Sequence, residues 1–196
     1  MQKLAVTQAP LHPLLAGRWS PRGFNHTHQV SPQQVTALIE AARWSPSAMN
    51  GQPWRFVVTH RGEPAFDRLF ETLNDGNKLW AGAASVLILA VADTLTADGS
   101  PNAYALYDTG QAVANLITQA SHEGLSTHQM GGFNPTAAAA AFDLAAQLRP
   151  LVVIAVGRHD PAAPLTEALA AREVAPRVRR PIEDLVLNAP AAVSAG

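Results

Sequence analysis

The 196-residue sequence predicts a mixed fold, with helices and strands interleaved in a single domain. Two observations carry this. The spacing of apolar residues switches repeatedly between the three-to-four-residue period of an amphipathic helix and the short continuous runs of buried strands. The length suits one compact core and falls short of two ordinary ones, with no internal repeat or linker to divide it.

Taken in order, Ser31-Pro32-Gln33-Gln34 is a capping box with proline at the first helical position. The helix it opens carries Val35, Leu38, Ile39 and Ala42 on one face, and it ends near Trp44 because the residue before Pro46 is pushed out of the helical region. Residues 56–58 read as a short buried strand, and 64–73 as a helix with Phe66, Leu69, Phe70 and Leu73 inward. Residues 85–92 form a central strand buried on both faces. A long helix over 103–123 turns Leu106, Ala112, Val113, Leu116, Ile117 and Ala120 inward and stops at Gly124 in the C′ position. Asn134-Pro135 caps a helix that the alanine run extends to Ala146, and 151–156 is a third buried strand. Trp44, Trp54 and Trp80 are assigned to packing. Residues 161–164 read as a loop, and the Ala/Pro/Ser tail after Asn188 as disordered.

Composition narrows the function. Charged residues make up 15% and the net charge is −1, so no strong field would draw nucleic acid or an anionic membrane. Without cysteine there are no disulfides, thiolate catalysis or cysteine zinc sites. Residues 1–10 lack the apolar stretch of a signal peptide, and the apolar run 86–92 is far too short for a membrane span, so a soluble, cytoplasmic protein is expected. No metal site is expected either, because His26-x-His28, the only close histidine pair, reads as a solvated loop. Neither a glycine-rich dinucleotide fingerprint, nor a P-loop, nor a nucleophile elbow occurs.

Four segments carry chemistry. In 42–56, Ser45, Ser47, Asn50 and Gln52 are short donors and acceptors held by Pro46 and Pro53, which suits rigid hydrogen bonding to a planar polar ligand. Arg18-Trp19-Ser20-Pro21-Arg22 sets two guanidiniums around a hydroxyl, and 176–184 repeats the basic logic with Arg177 and Arg179. Such forks suit a phosphate, although an isolated Arg-x-x-x-Arg is more often a solvated loop. Gly131-Gly132 allows close backbone approach or a plain turn.

The Ser-Pro-Ser-x-x-Asn-x-Gln-Pro-Trp-x-Phe run, 45–56, resembles the flavin-binding segment of the FMN-dependent nitroreductase family. Arg18-x-Ser20-x-Arg22 resembles that family's phosphate motif, and the likeness extends from Arg18 to about Val186. It implies an α+β fold: a three-layer sandwich with a mostly antiparallel central sheet flanked by helices, in an intertwined homodimer joined through the long helix. The implied cofactor-binding residues are Arg18, Trp19, Ser20, Arg22, Pro46, Ser47, Ala48, Asn50, Asn77, Gln129, Met130, Gly131, Gly132, Arg177 and Arg179. Pro46, Ser47 and Asn50 would come from the opposite subunit to the arginines, and a backbone N–H near Gly131 would face the flavin N5. No catalytic side chain is implied, since the flavin performs the redox step. The implied activity is ping-pong hydride transfer from NADH or NADPH to a small nitroaromatic, quinone or related acceptor. A non-catalytic flavin carrier or sensor, or a flavin-consuming enzyme that uses oxygen, would share these contacts. Ala48 stands where many relatives have a second serine, and Gly131 where some have glutamate.

Overall fold

A computed structural model describes residues 3–188. Its helices are α1 (Pro13–Gly17), α2 (Pro32–Arg43), α3 (Pro64–Glu71), α4 (Asp75–Ala81), α5 (Ala105–His122), α6 (Pro135–Ala141) and α7 (Glu167–Val174). The strands are β1 (Trp54–His60), β2 (Val86–Asp93), β3 (Ser126–Met130) and β4 (Leu148–Gly157). They form one antiparallel sheet in the order β1-β2-β4-β3, so β1 and β3 are opposite edges.

Side chains alternate across the pleat, and the two faces build two cores. Leu87, Leu89 and Val91 of β2 pack with Phe66, Leu69, Trp80 and Leu169 beneath α3, α4 and α7. Val86, Ile88 and Ala90 pack with Leu38, Ala42, Ala112 and Leu116 beneath α2 and α5. This is the three-layer α+β arrangement expected, with β2 buried on both faces.

Local signals act as the sequence implies. The Ser31 side chain accepts from Gln34 N while the Gln34 side chain accepts from Ser31 N, completing the capping box. Gly124 follows α5 at φ +70, the left-handed conformation that glycine takes without a Cβ clash.

Three expectations need correction. The alanine-run helix stops at Ala141 rather than Ala146, because the chain turns through Phe142 into Asp143 at φ 49. Leu106 does not point inward but is 41% exposed. It lies one position out of phase with the buried set Ala105, Asp108, Thr109 and Ala112, which follows the helical repeat. Trp44 is 73% exposed, its indole N–H bonded to Glu40 at the surface, while Trp54 and Trp80 do pack in the cores. The edge strand β3 after Gly124, and helices α1, α4 and α7, add to the elements expected. The tail beyond Asn188 lies outside the described residues. Among the described residues, no helix is long and apolar enough to cross a membrane and no acid, histidine or cysteine cluster could hold a metal.

Candidate functional site

The segment from Arg18 to Phe24 runs along the continuation of β4. Asp160 N donates to Gly23 O at 3.0 Å and Asn25 N to Arg158 O at 2.9 Å. A Cβ on Gly23 would lie 2.6 Å from Asp160 O, so this approach requires glycine. Two further bonds fix the segment: His128 Nδ1 of β3 donates to Pro21 O at 3.0 Å, and Arg22 N donates to Glu173 Oε1 of α7 at 2.8 Å. The Arg18 guanidinium lies 3.5 Å from Ser20 Oγ, so the two face the same way.

The C-terminal segment folds back onto this place. Arg177 Nη1 donates to Lys3 O at 2.9 Å and Ala16 O at 2.6 Å, which ties the segment after α7 to the residues around α1, beside Arg18. Burial, and then the charges of Arg177 and Arg179, lower the Arg18 pKa below the ordinary guanidinium value. Burial followed by Arg179 does the same to Arg177. Among the described residues, Arg18, Arg22, Arg177 and Arg179 form no ion pair. Arg18, Arg177 and Arg179 converge with no carboxylate opposite, an arrangement built for an anion, while Arg22 has the Glu173 carboxylate beside it. His128 sits within this field. Burial, opposed by its bond to Pro21 and reinforced by Arg22 and Arg18, lowers its pKa to about 4, so it is neutral at neutral pH. Its ring centroid is 4.5 Å from that of Trp80. Trp19 packs edge-on to His159 at 5.3 Å, with Lys3 Nζ 4.5 Å from the indole centroid.

At the end of β3, Met130 is buried, Gln129 is exposed, and the chain turns through Gly131 and Gly132. Gly132 O accepts from Asn74 N at 3.0 Å and from Asn77 Nδ2 at 2.9 Å, so Asn77 is brought to the glycine pair and pins it. A Cβ on Gly132 would meet that amide at 3.0 Å, whereas Gly131 is exposed with open space around it.

The serine-rich loop is built differently. Met49, Asn50 and Gln52 hold φ values of 53, 56 and 46, three non-glycine residues in the left-handed region. Internal bonds maintain them: Asn50 N to Ser47 O at 3.1 Å, Gln52 N to Ser47 Oγ at 3.1 Å, and Gly51 N to Ala48 O at 2.9 Å. Helix α5 supports the loop from beneath. Asp108 Oδ2 accepts from Ala48 N at 3.0 Å, and Asn115 Nδ2 donates to Ser45 Oγ at 2.7 Å.

One chain does not bring these halves together. The arginine set lies by the β3 edge, where Arg18 and Trp19 border a groove with Leu14, Ser126 and His159. Ala48 and Asn50 border another groove, with Arg55, Asp93 and Tyr104, by the β1 edge. Sequence reasoning missed Asp108, Glu173 and the part played by His128. Asp108 left a signal, an acid in phase with Ala105 and Ala112 on an inward helix face, whereas Glu173 lies on a helix that went unrecognised.

Comparisons with known proteins bear on the family and the fold. The model of the nitroreductase family matches residues 15–78 and 67–158. A Mycolicibacterium smegmatis protein, described as an uncharacterized 15.4 kDa protein in the ask 5' region, is 38% identical over 142 residues, covering 68% of this chain and 95% of that one. A Leptothrix cholodnii protein named "Putative NADH dehydrogenase/NAD(P)H nitroreductase" is 30% identical over 155 residues, covering 68% and 77%. A crystal structure described as an oxidoreductase containing FMN superimposes with a TM-score of 0.88 at 32% identity, covering 94% of each chain.

Proposed function

This chain belongs to the nitroreductase family, and on that premise we propose that it is an FMN-dependent oxidoreductase that takes hydride from NADH or NADPH and passes it to small electron-poor acceptors, such as nitroaromatics or quinones. The observation that carries the reading is the meeting of Arg18, Arg177 and Arg179 with no carboxylate opposite. Guanidiniums that depress one another's pKa are stabilised by an anion, and a phosphate monoester with nearly two negative charges suits several forks. Ser20 and Arg22 extend the set. The residues therefore fit the terminal phosphate of FMN, the group named for the solved structure at 32% identity.

The other half supplies what a planar ring needs. Ser47 and Asn50 present short polar side chains, flanked by Pro46 and Ala48, from a loop fixed before any ligand arrives. Exposed Gly131 leaves its backbone open to close approach, while Asn77 holds the neighbouring Gly132 in place. Trp19 and Gln129 complete the arginine-side wall in this reading, whereas the Met130 side chain is buried in the core and leaves only its backbone to the site. Because the halves sit by opposite sheet edges, a whole site draws the arginine face and glycine pair from one subunit and the loop from a second. The protein is accordingly a homodimer. Its exposed Tyr104, Leu106 and Tyr107 on and before α5, and Val178, Ile182 and Leu185 in the C-terminal segment, are the apolar surface that a second copy would cover.

FMN, when bound, supplies the two-electron redox chemistry. The chain's residues bind its phosphate, orient the ring and leave one face open to the nicotinamide and the acceptor in turn. No side chain has to deliver a proton, since solvent can reach the acceptor; His128, neutral and bonded to Pro21, serves the scaffold. The purified protein is expected to carry one FMN per subunit, to bleach on anaerobic addition of NADH or NADPH, and to give parallel double-reciprocal lines with a quinone acceptor. Protein that fails to bind added FMN would overturn the reading, and flavin that neither nicotinamide bleaches would make it a carrier.

A further inference from the structure

Helix α5 turns Ala105, Ala112, Val113 and Leu116 into the core, and among them stands Asp108, only 2% exposed. A buried carboxylate is costly unless it is bonded. The bond it makes outside its helix is to the backbone N–H of Ala48. Two turns further along the same helix, Asn115 holds the hydroxyl of Ser45. One rigid element thus grips the loop at residues 45 and 48, on either side of Pro46 and Ser47. Immediately beyond the second grip the chain enters the left-handed conformations of Met49 and Asn50, which persist only where the surroundings over-determine them.

We propose that Asp108, seconded by Asn115, is a positioning residue for the ring-side half of the flavin site. It touches no ligand. It fixes Ala48 and, through it, the orientation of Ser47 and Asn50, so that the loop meets the ring without reorganising on binding. The inference rests on the FMN reading above. A carboxylate serving packing alone could be exchanged for an apolar residue of its own shape without loss to the site, and that exchange separates the two roles.

The test compares Asp108→Leu and Asp108→Asn by FMN titration, the visible spectrum of the bound flavin, and thermal melting of the flavin-free protein. Asparagine keeps an acceptor oxygen for Ala48 N–H and is expected to bind FMN within about threefold of the parent. Leucine has the same shape without the acceptor; FMN affinity should fall about tenfold or more and the bound spectrum should change, while the apoprotein should still melt in one cooperative transition. A leucine variant that binds FMN as the parent does would overturn the proposal, as would an asparagine variant as weak as the leucine one. Should the leucine variant fail to fold, Asn115→Ala at the helix surface replaces it: weakened FMN binding supports the proposal and parent-like binding overturns it. A parent that binds no FMN would instead bring down the functional reading itself.

Discussion

The arginine face and the serine-rich loop both present polar groups to a ligand, yet they are held by opposite means. Around Arg18 the segments flanking α1 and following α7 converge, and backbone carbonyls of Lys3, Ala16 and Pro21 take the donors of Arg177 and His128. That half works by uncompensated charge, so it should respond to pH and salt. Around Ser47 the holding groups are a helix, a buried carboxylate and three left-handed residues, with no charge displayed toward the groove by 45–50. That half works by fixed shape, so it should respond to backbone substitution and hardly to salt. A ligand with a charged end and a planar end is what such a pair discriminates.

The largest expected effect concerns the charged half and His128. Its pKa is near 4 in the native protein against about 6.5 unfolded, so the unfolded chain binds the proton first. The stability this contributes is complete above about pH 6.5 and is lost as pH falls toward 4, by up to about 3 kcal/mol. His128→Gln keeps a donor for Pro21 without titrating, and it should flatten that stretch of the stability–pH curve. An unchanged curve would mean that the histidine is not buried beside the arginines as described. Next in size, Arg22→Ala removes a charge-assisted contact worth about 1.5–3 kcal/mol, so FMN affinity should weaken about ten- to a hundredfold with a shallower salt dependence. Parent-like binding in a salt series would assign Arg22 to the protein's own packing against Glu173. The smallest effect belongs to the loop. Met49 is fully exposed at φ 53, and Met49→Gly should stabilise the protein by up to about 1 kcal/mol, raising the melting temperature by about 2–4 °C. A lower melting temperature would contradict the strain assigned to that residue.

What the sequence revealed follows the same division. The capping box at Ser31, the proline-punctuated 45–53 loop and the Arg18-x-Ser20-x-Arg22 motif are local patterns, legible because neighbouring residues set their physics. The edge strand β3 was illegible because Ser126, Thr127, His128 and Gln129 are polar, and their strand conformation comes from pairing with Gly157 to Ile154 of β4. Helix α4 was hidden by Gly76 within it, and its place is set by Trp80 in the core and by Asn77 on Gly132. Leu106 was misassigned because hydrophobicity was followed where the helical phase, through Asp108 and Thr109, demanded polar residues inside. Asp108 itself meets the loop across 60 residues of sequence, a juxtaposition that only folding supplies.

The central claim is that the two halves complete each other across two copies of the chain. Complementation tests it directly: an Arg18→Ala/Arg22→Ala protein and a Ser47→Ala/Asn50→Ala protein, each defective in FMN binding, are unfolded together and refolded as a one-to-one mixture. Random pairing makes about half of the dimers mixed, each with one intact site of two, so about a quarter of all sites should regain parent-like FMN affinity. A mixture that binds no more FMN than the separate variants, while light scattering reports dimers that exchange subunits, would place both halves of the site within one chain and contradict the account.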